Sequence, residues 1–121
     1  MRKWRKGVKA RKQVKVPRRI WADGVLPLDA FPLFRQADFV EIWYDEEDGG
    51  ILVLRPTDDP RGAYRITEHW GMRYVRLPRG LLEHLWGRRG DIPVKCSVER
   101  REFPDGEHEC LVVRRREDVA P

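Results

Sequence analysis

The chain has 121 residues, 40% of them hydrophobic and 37% charged, with five Trp, three Tyr and four Phe. That is enough bulky apolar matter for one packed domain, and it excludes a chain that is disordered throughout. No stretch approaches the roughly 18 apolar residues of a membrane span, and the N-terminus lacks the apolar run of a secretory signal, so no membrane partner and a cytoplasmic location are expected.

The formal net charge of +5 is unevenly placed. Residues 1–19 carry ten Lys or Arg and no acid, which leaves 15 basic and 20 acidic side chains for the remaining 102 residues. Residues 1–13 read as a basic arm, with Arg2, Lys3, Arg5, Lys6, Lys9, Arg11 and Lys12, followed by Lys15, Arg18 and Arg19. The arm has too few apolar residues to pack. Each cation that neutralises a phosphate releases condensed counterions, so the arm points to a polyanion, and to nucleic acid before an anionic membrane, because it offers only Trp4 to a lipid interface. A second basic stretch holds Arg61, Arg65, Arg73, Arg76, Arg79, Arg88 and Arg89 against Glu68 and Glu83. Residues 38–59 are the reverse, eight acids to the single Arg55.

In chain order, Phe39–Tyr44 and Ile51–Arg55 are β-branched and aromatic runs separated by a polar turn with two glycines, which predicts a hairpin whose second strand ends at Pro56. Residues 57–62 read as a linker. Tyr64–Thr67 and Arg73–Leu77 read as paired strands around a turn at His69-Trp70-Gly71. Leu81, Leu82 and Leu85 share one face of a helix of about two turns, with Gly87 placed to cap it. Ile92–Val98 and Glu109–Arg114 predict a last hairpin around Phe103-Pro104-Asp105-Gly106, and residues 117–121 are expected to fray. In that hairpin Cys96 falls opposite a residue near Arg114 and Cys110 opposite one near Arg100, too far apart to bridge, so both are expected as thiols.

The halves can be laid over one another. Leu26-Pro27 matches Leu77-Pro78, and at the same offset Ala30, Phe31 and Phe34 lie over Leu81, Leu82 and Leu85. Each half then reads strand, Leu-Pro, short helix, β-hairpin, as repeats 14–56 and 63–116 of one domain spanning 14–116. Pro32 shortens the first helix and no Gly follows Phe34.

This pattern resembles the swapped-hairpin, or looped-hinge, unit of the AbrB, SpoVT, MazE and MraZ families, carried by Leu77-Pro78, Leu85, Gly87 and Gly90-Asp91 in the second half. Leu26-Pro27 and Asp38-Phe39-Val40-Glu41-Ile42 carry it in the first. The resemblance implies a mainly β fold with short helices, a duplicated swapped-hairpin, double-psi-like β-barrel. Two copies in one chain imply a monomeric pseudo-dimer, or a homodimer of such chains. It further implies a DNA face lined by Lys15, Arg18 and Arg19 in the first half and Arg65, Arg73 and Arg76 in the second, with Arg79 adjacent.

No catalytic or cofactor arrangement stands out. His69, His84, His108 and the cysteines match no zinc spacing, Ser97 and Cys96 lie mid-strand, paired acids fall in turns, and there is no Gly-rich phosphate loop. Trp21, Trp43, Trp70 and Trp86 read as packing residues, with Trp70 the exception as a stacking candidate. The expected function is therefore a non-enzymatic, DNA-binding transcriptional regulator on double-stranded DNA. The alternatives are an accessory subunit of an RNA or nucleoprotein complex that uses the arm, with a protein partner there, and an antitoxin-like protein-binding module.

Overall fold

The computed structural model describes residues 15–116. The expected arm, residues 1–13, and the tail, 117–121, lie outside them. The described chain is mainly β with one short α-helix. Its strands are β1 (Arg19–Ile20), β2 (Val25–Pro27), β3 (Phe39–Asp45), β4 (Ile51–Thr57), β5 (Tyr64–Arg65), β6 (Thr67–His69), β7 (Met72–Arg76), β8 (Ile92–Phe103) and β9 (Gly106–Arg115). Helix α1 is Arg79–Trp86. Six strands form a sheet in the order β1-β8-β9-β4-β3-β5, and β2-β7-β6 form a second sheet, every pairing antiparallel.

The hairpin of β3 and β4 forms where alternation and turn glycines place it, in register Glu41↔Arg55 and Trp43↔Val53. Pro56 does not end it: β4 continues to Thr57, with Pro56 opposite Val40. The ladder from β9 reaches β4 only as far as Leu54. The proline thus falls where β4 has a strand on one side only, the setting in which a lost N–H is tolerated. The linker accordingly begins at Asp58.

The expected single strand over 64–67 divides at Ile66. β5 joins β3 at the sheet edge, while β6 pairs with β7 in the other sheet. Ile66 is buried and its N–H bonds the Asp38 carbonyl at 2.9 Å. The chain thus changes sheets at the one apolar side chain in that stretch able to enter the core.

The first short helix is a single 3-10 turn, Pro32–Phe34, with proline at its start. Its counterpart α1 runs two turns, buries Leu82 and Trp86 one turn apart, and stops at Gly87, which takes the left-handed conformation (φ 72°) and returns its N–H to the Glu83 carbonyl. The Trp86 indole N–H reaches the Gly49 and Gly50 carbonyls at 3.1 Å, so the helix is pinned to the turn between β3 and β4.

The core gathers residues from both ends of the chain. Ile20, Leu26, Phe34, Val40, Leu52, Leu54, Val75, Leu77, Leu82, Ile92, Val94, Leu111 and Val113 form one cluster. A smaller cluster, Ile51, Val53, Phe103, Cys110 and Val112, lies on the opposite face of β4 and β9. The last hairpin is longer than expected, β8 and β9 running to the turn, so that Phe103 meets the Trp43 ring edge-on at 5.5 Å. The Arg55 guanidinium lies 4.5 Å from the Phe103 ring centre and bonds Glu41 at 2.6 Å and Asp105 at 2.8 Å. β1 borders only the first residues of β8, through Arg19↔Pro93 and Ile20↔Ile92. From Lys95 onward that side of β8 has no strand beside it among the described residues.

Cys96 faces Val113 and Cys110 faces Glu99, each one position from the expected register. Because side chains alternate, the two sulfurs lie on opposite faces of the hairpin and no disulfide joins them. Burial pushes the Cys96 thiol up to about 12. Both thiols are expected to resist iodoacetamide at pH 8 in the native protein and to react fully in denaturant, with mass spectrometry as the readout.

On the same hairpin Arg114 and Ser97 hydrogen-bond the Glu99 carboxylate, at 2.6 and 2.8 Å, and hold it below the usual glutamate range. Its pairing therefore contributes stability above that range and loses it as pH falls through the lowered value. E99Q is expected to lower the melting temperature modestly at pH 7 and to flatten its decline below about pH 4.

Candidate nucleic-acid interface

The sharp turn between β1 and β2, residues 21–24, is the meeting point of three chain segments. Gly24 bonds back to the Trp21 carbonyl at 2.9 Å, and its own carbonyl accepts the Leu77 N–H at 2.9 Å, tying the turn to the end of β7. The Asp91 N–H bonds the Trp21 carbonyl at 3.1 Å. Gly90 sits so close to the turn that a Cβ there would lie 2.4 Å from the Ala22 carbonyl oxygen. Only glycine permits that approach.

This packing draws arginines from distant parts of the sequence to one corner. Arg19 bonds Asp91 at 2.7 Å, Arg88 lies 3.9 Å from the same carboxylate, and Arg76 is 3.5 Å from Asp23. Arg79 stands beside Gly24, and Arg18 precedes β1. Three guanidinium groups thus meet two carboxylates, with Arg79 beside the turn. All are exposed, so these ion pairs add little stability and act mainly to orient the cations. Trp21, 45% exposed, lies in the turn itself. Among the described residues the side chains of Lys15, Arg18 and Arg79 make no ion pair, which leaves them available to an incoming anion.

Arg2, Lys3, Arg5, Lys6, Lys9, Arg11 and Lys12 lie outside the described residues. Of the others singled out in the sequence, Arg19, Arg76 and Arg79 are exposed at the corner, and Lys15 and Arg18 are exposed on the segment leading to β1. Arg65 is not there: it lies on β5, at the opposite edge of the six-stranded sheet from β1, with its guanidinium 5.2 Å from the Phe39 ring centre. Arg73 has a different task. Its guanidinium donates to the carbonyls of Phe34, Arg35 and Ala37 at 2.7, 3.0 and 2.6 Å, and its backbone N–H meets the Asp29 carboxylate at 3.2 Å. It closes the carbonyl ends left by the short 3-10 turn.

The corner also holds residues that sequence reasoning did not select, Arg88, Trp21, Asp23 and Asp91. Gly90-Asp91, which carries the family resemblance in the second half, was the available signal for them. The histidines lie in three separate places: His69 against Trp70, His84 bonded to Glu46 at 2.6 Å, and His108 beside Asp105 and Phe103. A cleft of about 470 Å³ is lined by Glu41, Trp43, Arg55, Arg61 and Asp105, but Arg55 already engages both carboxylates there. No helix among the described residues is long and apolar enough to cross a membrane.

Comparison with known proteins gives no match, whether to a family model, a curated protein or a solved structure.

R73K is expected to destabilise the fold by about 2–3 kcal/mol, because an ammonium cannot span three carbonyls and leaves part-buried acceptors unpaired. R79A is expected to leave stability within about 0.5 kcal/mol of wild type. Urea denaturation of the two variants side by side tests this division.

Proposed function

We propose that this chain is a nucleic-acid-binding protein without catalytic chemistry of its own, and specifically a DNA-binding regulator that contacts duplex through the arginine corner and the basic arm. The observation that carries the reading is the convergence of Arg19, Arg76, Arg79 and Arg88 on the turn at 21–24, from positions up to 69 residues apart. Planar, multi-donor guanidinium groups on a rigid turn suit both phosphate contact and the O6 and N7 edge of guanine. A structural role in the fold does not require so many of them exposed together.

The strand pairings support the duplicated swapped-hairpin reading. β1 of the first half lies beside β8 of the second, and β5 of the second lies beside β3 of the first. β2 pairs with β7, and β4 with β9, so each half lends its strands to the other. In this reading the duplication presents one basic corner because the two halves have diverged: the first contributes the turn and Arg18-Arg19, the second Arg76, Arg79 and Arg88.

A second reading, an accessory subunit of an RNA or nucleoprotein complex, draws on the arm, since seven of the ten N-terminal cations precede Lys15. Binding of the full chain and of a chain starting at Lys15 to duplex DNA and structured RNA, across a salt series, separates the two. The shorter chain is expected to keep a preference for duplex. R79A within it is expected to lower the slope of log K against log salt by about one, the signature of one lost phosphate contact. Loss of all binding with the arm, or a preference for RNA, transfers the function to the second reading.

A further inference from the structure

Trp70 is 91% exposed, against 5% for Trp86 and 45% or less for Trp21 and Trp43. It occupies the first position of the two-residue turn between β6 and β7, where His69 faces Met72 and both turn residues have positive φ, 54° at Trp70 and 72° at Gly71. Hairpin turns of this kind favour Asn, Asp or Gly at that first position, because a side chain there crowds its own backbone. A bulky aromatic residue is among the least suited. The indole therefore carries backbone strain and an exposed apolar surface together, and its only ring contact among the described residues is the edge of His69 at 5.4 Å. Nothing within the described fold compensates for either. Strain maintained at an exposed position points to something outside the chain.

The hairpin is also held firmly at its base. Arg73, three residues on, is fixed by three carbonyls and the Asp29 carboxylate, and the Leu28 N–H bonds the Arg73 carbonyl at 2.9 Å. The tip is thus a flat π surface on a rigid mount.

We infer that Trp70 is a stacking platform for an unpaired or unstacked nucleobase. This rests on the nucleic-acid reading above and names what one part of the surface takes. The choice of a base over an apolar protein pocket comes from the surroundings. From Thr67 to Arg73 no second exposed apolar side chain joins Trp70 in a patch, as a protein-docking surface would require. The hairpin instead belongs to the stretch 61–90, in which seven arginines face two glutamates. Along β7 the tip stands about 15 Å from Arg76, at ~3.3 Å per residue from Met72 plus the turn, which is about four to five base steps. One nucleic acid can therefore meet the corner and the indole together.

The test uses the full chain and two fluorescently labelled oligonucleotides, a single strand and a duplex with one unpaired adenine, followed by anisotropy. W70N restores a favoured Asn-Gly turn and is expected to melt several degrees higher than wild type. It is also expected to bind both probes about tenfold more weakly, as loss of one base stack does, with an unchanged salt slope because no phosphate contact is lost. W70F, which keeps a stacking ring, is expected to stay within about threefold of wild type, and W70G to repeat the binding loss of W70N. If W70N binds as tightly as wild type, or W70F loses as much as W70N, the stacking role is overturned while the arginine corner stands. If wild type binds neither probe at low salt, both readings fall together.

Discussion

The register in which β4 meets β9 determines which side chains the rest of the molecule can bury. Leu52 opposite Val113 and Leu54 opposite Leu111 put four large apolar groups on the main core, and Ile51, Val53, Val112 and Cys110 on the reverse face. Side chains alternate with a period of two, so a slip of one residue on β9 carries Arg114 onto the main core side. The bent tip of the long hairpin guards against this. Phe103, clamped by Trp43 and Arg55, covers the reverse face only when the ladder is in its native register. Two hairpins become one sheet through this seam, and β1 and β5 form its two outer strands.

A division of labour among the arginines follows from what each meets. Arg55 and Arg73 are drawn inward, one between two carboxylates and two rings, the other among three carbonyls, and both hold separate segments together. At the corner Arg19, Arg76 and Arg88 meet exposed acids across gaps of 2.7 to 3.9 Å, interactions weak enough in water to be exchanged for a phosphate. The same residue type thus serves as a structural bracket or as a solvent-facing contact, according to whether its partners bury it or leave it exposed.

Local chemistry made several elements legible in the sequence. The hairpin of β3 and β4, helix α1 with its Gly87 stop, and the turn at Trp70-Gly71 all rest on residues within a few positions of one another. What the sequence did not reveal depends on distant partners. Arg73 matches a surface position by alternation, and only the fold of 34–37 supplies the carbonyls that draw it in. The division at Ile66 depends on Asp38, and the extension of β4 past Pro56 on where β9 departs. The candidate site was legible in part for the same reason. Arg19, Arg76, Arg79 and Arg88 stand out by composition, whereas their meeting with one another and with Trp21 depends on the contact of Gly90 with Ala22.

The pairing of β1 with β8 links residues 74 positions apart, Arg19 with Pro93. As the chain leaves the ribosome, Ile20 and Leu26 emerge early and their partners late, so the first hairpin cannot complete its core until most of the chain is made. The basic residues 2–19 precede the core-forming residues in the chain and so emerge ahead of them, into surroundings rich in ribosomal RNA. The nascent chain thus displays a polycation for the whole interval in which its apolar surface is uncovered, and the order of synthesis runs opposite to the order of closure.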